Sequence, residues 1–355
     1  MSVVAEPQGT GMRGQRRVGL WLLAICLLLS AMVMLGGLTR LTQSGLSITE
    51  WRPVTGVVPP LDAAHWQAEF EKYQKIPEYQ LINKGMTLDD FKRIYWWEWA
   101  HRLLGRLIGV AFLVPFVAFI LTRTITPRDI PRFAGLFVLG GLQGALGWFM
   151  VKSGLSVRTD VSQYRLAAHL VLAFIIFGAI FWTALGQLRT PFASLGVTAT
   201  HRRNAAILVG LVLLQIGVGG FVAGLDAGFS YNTWPLMDGR LVPHGLSALS
   251  PGWRNLFENT VTVQFIHRMT AYCVVAWAIW TFMSIRRIPI SKGTFARKTA
   301  HYVLAGVTLQ AMLGIATLLT VVPVALGALH QLGALATYSL ALLHLHALGR
   351  AGTIA

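Results

Sequence analysis

Acidic residues are scarce in this chain, with fourteen Asp and Glu among 355 residues, and charged residues of both signs reach only 12%. A soluble domain carries about twice that fraction, so a surface that faces water on all sides is excluded. Cysteine is scarcer still. Cys26 and Cys273 are the only two, both lie inside apolar runs, and neither belongs to a CxxC or a disulfide framework. Redox chemistry in this protein therefore needs a cofactor.

Apolar residues are abundant, at 54% of the chain, with a mean hydropathy of +0.58. Crossing a bilayer takes about 20 such residues, and runs of that length begin near Val18, Trp99, Phe133, Leu166, Ala205, Val263, Ala300 and Val324. The expected fold is all-α, with eight transmembrane helices. Only Thr320 to Pro323 separate the seventh run from the eighth, so Pro323 has to serve as the turn. The run from Val18 to Leu35 lacks a small-residue cleavage site and is expected to be a retained span, not a signal peptide.

The basic residues are distributed asymmetrically. Arg13, Arg16, Arg17, Arg123, Arg128, Arg132, Arg189, Arg202, Arg203, Arg286, Arg287, Lys292, Arg297, Lys298 and Arg350 fall on one face, against only Glu6 and Asp129. The other face has twelve acids and the two long loops, roughly Arg40 to Tyr95 and Leu225 to Thr262. Short loops rich in Lys and Arg stay in the cytoplasm, so both termini are expected there. The formal net charge of +16 follows from this asymmetry and needs no nucleic-acid partner. A short N-terminal tail favours a bacterial inner membrane over an organelle. In the first long loop, DAAHWQAEFEKYQKI from Asp62 has helical spacing, with Trp66, Phe70 and Tyr73 on one side. It is expected to lie along the membrane surface, and Tyr95, Trp96, Trp97 and Trp99 are expected to form an interface belt.

The chain repeats itself. Gly36 to Trp51 (GGLTRLTQSGLSITEW) aligns without gaps on Gly219 to Trp234 (GGFVAGLDAGFSYNTW). His101-Arg102 matches His267-Arg268, LQGALG at Leu142 matches LQAMLG at Leu309, and His169 matches His330. The offsets drift from 183 to 166, 167 and 161, as unequal loops would make them. The expected organisation is a cytoplasmic tail at 1–17, a four-helix bundle at 18–188, a cytoplasmic linker at 189–203, a second four-helix bundle at 204–348 and a tail at 349–355. The halves share one orientation, so this is not an inverted repeat.

Four histidines, His101, His169, His267 and His330, stand within the first turns of the second, fourth, sixth and eighth spans, at matched depth near the outer face. A single histidine in a span usually makes a helix-to-helix hydrogen bond. Two per repeat point instead to paired axial ligands for haem iron inside each bundle. Zinc would need three or four compact ligands, and no nearby cysteine or further histidine supplies them. Arg102, Arg268, Arg40 and Arg165 are candidate propionate partners, with snorkelling at a helix end as the alternative. His201, His301, His344, His346, His65 and His244 are expected to be solvated or structural. EWAHR in the first half becomes QFIHR in the second, so Gln264 replaces Glu98. Glu98 sits one turn before His101. The residues read either as a reactive first pocket beside a permanent cofactor in the second, or as an interfacial Glu98 facing water.

GGLTRLTQSGLSITEWRPVTGVVPPL, YWWEWAHRLLGR, FIHR and ALHQ together resemble haem A synthase, over essentially the whole chain. That resemblance implies two pseudo-symmetric four-helix bundles and oxidation of the C8 methyl of haem O to the formyl of haem A, for terminal oxidases. It implies His267 and His330 as ligands of haem b, His101 and His169 flanking the substrate haem, and Glu98 as the catalytic residue. It further implies two hydroxylations through an alcohol to a gem-diol, with haem b relaying electrons. Some members carry a cysteine pair in an outer loop; this chain has none, which puts a thiol relay in doubt. Expected partners are the lipid bilayer, an unidentified electron donor and the farnesyltransferase that makes haem O. No motif fixes the oligomeric state, and a homo-oligomer is left open. Two alternatives need the same histidines or repeats: a bis-histidine membrane cytochrome b for electron transfer, and a haem carrier.

Overall fold

The computed structural model describes residues 8–188, 196–291 and 293–349. The start of the expected N-terminal tail with Glu6, the first part of the expected linker with Arg189, Lys292, and the end of the chain from Arg350 lie outside the described residues.

Eight helices are long and apolar enough to cross a membrane, and the chain is a multi-pass membrane protein. They are α1 (Gln8–Leu41), α4 (Leu88–Leu121), α5 (Ile130–Lys152), α6 (Gln163–Gln187), α7 (Ala199–Gly224), α9 (Thr260–Arg286), α10 (Phe295–Leu319) and α11 (Val324–Ala347). Between them lie the short helices α2 (Ala63–Tyr73), α3 (Pro77–Leu81) and α8 (Asn255–Glu258). All eight expected runs fall within the long helices. Inside lipid each backbone N–H must find its carbonyl within the segment, which makes the helix the only open-chain solution.

The packing has two closed rings. In the first half α1 packs on α4 and α6, and α5 packs on the same two. In the second half α7 packs on α9 and α11, and so does α10. Helices α4 and α6 therefore face each other across the first ring, and α9 and α11 across the second. The rings meet through α6 on α7 and α11, and through α1 on α11. A large core containing Leu22, Phe112, Phe133, Phe174, Leu208, Tyr338 and Leu342 runs through both.

The repeated glycine pairs explain how the helices approach so closely. A Cβ on Gly37 would strike the Gln331 side chain of α11, whose amide donates to Val33 O at 3.1 Å. A Cβ on Gly220 would come within 3.0 Å of Ala167 Cα in α6. The second glycine of each pair thus faces the other ring. At the long-loop end Arg40 joins the halves, pairing with Asp226 at 2.9 Å and Asp160 at 3.6 Å.

Two expectations about the first long loop change. Helix α4 starts at Leu88, eleven residues before the expected start of that span, because the Thr87 side chain caps it through Asp90 N and Asp89 and Asp90 complement the helix dipole. Its 34 residues make it about 50 Å long, so its first turns rise out of the bilayer. There they meet α2, which Asp62 caps through His65 N at 2.8 Å. The apolar side of α2 turns onto protein, not lipid: Phe70 and Tyr73 lie 5.1 and 5.3 Å from Phe91, and Trp66 lies 4.9 Å from Tyr95. Tyr95 is buried and Trp99 packs in this second core, which leaves Trp96 and Trp97 exposed. Between α10 and α11 the turn is as short as expected. Val321 and Val322 both take left-handed backbone (φ 62° and 53°), an uncommon conformation for β-branched residues, and Pro323 opens α11.

Glu78, in α3, is buried under this loop layer with one carboxylate oxygen unpartnered. Burial pushes its carboxyl up to about 8 from 4.5; the charges of Asp160 and Glu98 add to that, while a hydrogen bond with Tyr73 and the charge of Arg40 oppose it. The folded protein thus keeps a proton that the unfolded chain gives up above its ordinary value. Stability from this group is full below about 4.5 and is lost as pH rises toward 8. Glu78→Gln should flatten the fall in melting temperature of the detergent-solubilised protein between pH 5 and 8; an unchanged slope would show that Glu78 does not report this burial.

Candidate functional site

Each of the four histidines faces a glycine on a neighbouring helix. A Cβ built on Gly36 of α1 would lie 2.9 Å from Cε1 of His101 on α4, and one on Gly147 of α5 would lie 2.9 Å from His169 on α6. In the second ring the distances are 3.3 Å from Gly219 of α7 to His267 on α9, and 2.8 Å from Gly314 of α10 to His330 on α11. A Cβ at Gly36, Gly147 or Gly314 would force the facing ring to move, and one at Gly219 would press His267 by a few tenths of an ångström, so each imidazole sits closely against a glycine. The members of each pair stand on helices across a ring from one another.

Three of the four also hold a glutamine, placed one turn before the facing glycine. The Gln143 amide donates to His169 O at 2.9 Å and lies 3.3 Å from Nε2 of the same ring. Gln310 donates to His330 O at 2.8 Å and lies 3.1 Å from Nδ1. Gln215 donates to His267 O at 3.0 Å, lies 3.2 Å from Nδ1, and is itself bonded by Thr270. His169 Nδ1 is a buried nitrogen without a partner. These glutamines were not anticipated. The signal lay in LQGALG and LQAMLG, whose Gln and final Gly are the residues that hold the histidines.

Glu98 is buried, at 3% exposure, which rules out a residue facing water. One oxygen accepts from Arg102 Nε and Nη2 at 3.1 and 2.7 Å, and the other accepts from Ser47 Oγ and Ile48 N, both at 2.7 Å. Arg102 goes on to Ile48 O and Glu50 O at 2.7 and 2.9 Å. The ion pair therefore fastens the segment after α1 onto α4. In the second half the same place is neutral. Gln264 donates to Tyr231 O at 3.0 Å, and Arg268 donates to Tyr231 O and Thr233 O at 2.9 and 2.8 Å.

The candidate arginines thus have protein partners. Arg102 and Arg268 hold loops, Arg40 ties Asp160 to Asp226, and Arg165 donates to Phe149 O at 2.6 Å and stacks on that ring. Of the other histidines, His344 is buried against Thr299 Oγ1 at 2.9 Å, and His346 packs its edge on Trp182. His201 and His65 sit at helix N-termini, His301 bonds Arg297 O, and His244 is exposed. Beside Arg102 opens a cavity of about 370 Å³, lined by Trp51, Trp148, Val151 and Lys152 among others.

Among the described residues no three His, Cys, Asp or Glu side chains converge as a metal-binding group. The donors come as imidazole pairs on facing helices, each ring seated against glycine, and that set fits a flat macrocycle with two axial positions. Each ring of helices is the kind that holds a ligand between side chains on facing helices. The sequence matches the cytochrome oxidase assembly protein family over residues 19–342, and the chain belongs to that family. Relatives include a haem A synthase of Parvibaculum lavamentivorans, 54% identical over 330 residues covering 93% of this chain and 94% of that one. Haem A synthases of Azorhizobium caulinodans and Rhizobium meliloti are 55% and 51% identical, covering 94% of this chain and 94% and 90% of theirs.

Removing Arg102 would leave a buried carboxylate without its counter-charge, a loss of about 3–5 kcal/mol for a buried pair. Arg268 faces no carboxylate in the same place. Arg102→Leu should therefore lower the melting temperature in detergent by more than Arg268→Leu does; equal losses would mean that both arginines act only through backbone carbonyls.

Proposed function

We propose that this chain acts as a haem A synthase, oxidising the C8 methyl of haem O to a formyl group by successive hydroxylations, for the biogenesis of haem-copper oxidases. The observation that carries the reading is the contrast between the rings: a buried, fully bonded carboxylate one turn from His101, and an amide at the matching place beside His267. Residues 18–188 form the substrate bundle and 204–348 the cofactor bundle, as pseudo-symmetric copies. The long loops face outward and both termini are cytoplasmic, in a bacterial inner membrane.

In this reading His101 and His169 flank the iron of haem O, and His267 and His330 ligate haem b. When bound, haem b supplies a one-electron relay for the oxidation. The notches opposite Gly36 and Gly147 seat the substrate-side imidazoles, and the bundle walls exclude water from the methyl being oxidised. Glu98 holds its charge in place through Arg102. At Oε2, which accepts from the Ser47 hydroxyl and Ile48 N, it would hold or pass a proton during the hydroxylations, whose oxygen atom and oxidising equivalents come from outside this chain, and the gem-diol left by the second hydroxylation loses water to give the aldehyde. The cavity beside Arg102, with Trp51 and Trp148 at 5.8 Å from each other and Lys152 over Trp148, suits passage of an amphipathic porphyrin. The farnesyltransferase that makes haem O is the expected donor of so apolar a substrate, and electrons come from a separate partner.

Glu98→Gln should keep its haem b but cease to convert haem O, as read by chromatography of extracted haem; continued production of haem A would remove Glu98 from the chemistry. His267→Ala and His330→Ala should each abolish the low-spin haem b spectrum, and an unchanged spectrum would refute the ligand assignment. An electron-transfer cytochrome b would yield haem b alone from cells that supply haem O, whereas the synthase yields haem b with O, hydroxylated O or A.

A further inference from the structure

Helices α4 and α5 run antiparallel, and two stacked pairs set their register: Phe112 on Phe137 at 6.1 Å, and Phe116 on Phe133 at 6.0 Å. Continued toward the outer face, that register brings Gly109 opposite Gly140 and Gly105 opposite Gly144. Each of the four glycines stands three, four or seven residues from a phenylalanine or glycine of this set, so all share the sides on which the two helices meet inside the ring. Glycines four apart usually let two helices touch backbone to backbone. Here they leave space. A Cβ on Gly109, Gly140 or Gly144 would meet no neighbour within 4 Å, and one on Gly105 would meet only the Met32 side chain, at 3.4 Å. A gap therefore runs between α4 and α5 for about 10 Å and stops at the Phe112–Phe137 pair. At its outer end stands Trp148, one turn beyond Gly144, which lines the cavity beside Arg102. Gly147, against which His169 sits with its buried and unpartnered Nδ1, is three residues beyond Gly144.

The second ring is filled at the same places. At the offsets of 166 and 167 that relate the histidines and the LQ motifs, Gly105, Gly109, Gly140 and Gly144 correspond to Ala271, Val275, Val307 and Ala311. Val307 is buried, and Val275 packs on the large core. Below them the contrast reverses, because Phe112 and Phe137 correspond to Ala278 and Leu304. The first ring is thus hollow beside its histidines and plugged beneath, whereas the second is closed beside its histidines. A narrow apolar gap that starts at the level of the histidines suits a hydrocarbon chain attached to a macrocycle held there. Of the two porphyrins in the functional reading, haem O is the one to which a farnesyltransferase has added such a chain.

We propose that the gap between α4 and α5 receives the isoprenoid tail of the substrate porphyrin, and that Gly105, Gly109, Gly140 and Gly144 determine which ring takes the prenylated haem. Val275 and Val307 close the matching space in the second ring to that tail and leave the ring to haem b. The Phe112–Phe137 pair is the floor on which the tail ends or turns out toward lipid. This rests on the functional reading above. It deepens that reading by giving a steric reason for the division of the two haems between two rings with the same pattern of histidines.

The test is the haem content of the full-length protein, purified in detergent from cells supplying haem O, with haem b, haem O and haem A quantified by extraction from the same sample. Gly109→Val and Gly140→Val, made separately, should each keep the haem b of the second ring and lower haem O plus haem A per chain by about tenfold or more. Added haem b, which has no tail, should still enter their first ring and raise haem b above one per chain. Gly135→Val, two residues from Phe133 and so on the far side of α5, should match wild type. Unchanged haem O content in the first two variants would overturn the proposal and leave the gap to a lipid chain. Loss of the first ring's capacity for haem b as well, or an equal loss in Gly135→Val, would overturn it in favour of a general part in shaping the bundle. Val275→Gly with Val307→Gly does not depend on how the first-ring variants fold. It should admit haem O to the second ring, so that haem O plus haem A per chain rises about twofold by simple site count; a second ring that still excludes haem O would count against the proposal. A wild-type protein holding haem b with neither haem O nor haem A would overturn the functional reading itself, and the site of the tail with it.

Discussion

Inside a bilayer a polar side chain has no water to bond, and whatever it needs must come from the protein around it. That constraint arranges this molecule. The carboxylate of Glu98 sits where the segment after α1 folds back, because Arg102, Ser47 and Ile48 N converge there to surround it. The imidazoles sit where a glycine makes room and, in three places, where a glutamine supplies a donor. Helices α1, α5, α7 and α10 are in this sense the supporting walls, and α4, α6, α9 and α11 carry what is supported.

Each half closes a ring of four long helices, and matched positions of the two rings differ in their chemistry. Glu98 and Gln264 occupy equivalent turns and do the same mechanical work, anchoring a returning loop, one through an ion pair and the other through an amide. A buried charge costs desolvation that a neutral amide avoids, so stability alone would favour Gln264's solution in both places. The two halves thus anchor the same loop with and without a buried charge.

Much of the fold was legible in the sequence because the lipid requirement is one of length and composition, which a hydropathy pattern reads directly. The eight spans and the turn at Pro323 follow from that. What composition could not show is which side of an amphipathic segment meets lipid and which meets protein. The apolar side of α2 covers Phe91 and Tyr95, and α4 begins a full three turns before the bilayer needs it. The arginines' protein partners were hidden for a related reason: Arg102 and Arg268 donate to loop carbonyls, which a residue pattern does not display. That Glu98 does not face water could not be read from its spacing, because the residues that cover it, Ser47 and Ile48, come from the returning loop.

The interval between the glutamine and the facing glycine is four residues in each of the three walls that carry one: 143 to 147, 215 to 219 and 310 to 314. Elsewhere the halves have drifted freely, with loops and helix ends gaining or losing residues. One inserted residue within such an interval would turn the later part of the helix by about 100°, carrying the glycine away from the ring while leaving the support behind. The number of residues in those three intervals is therefore set by the helix itself, whatever side chains stand between the glutamine and the glycine.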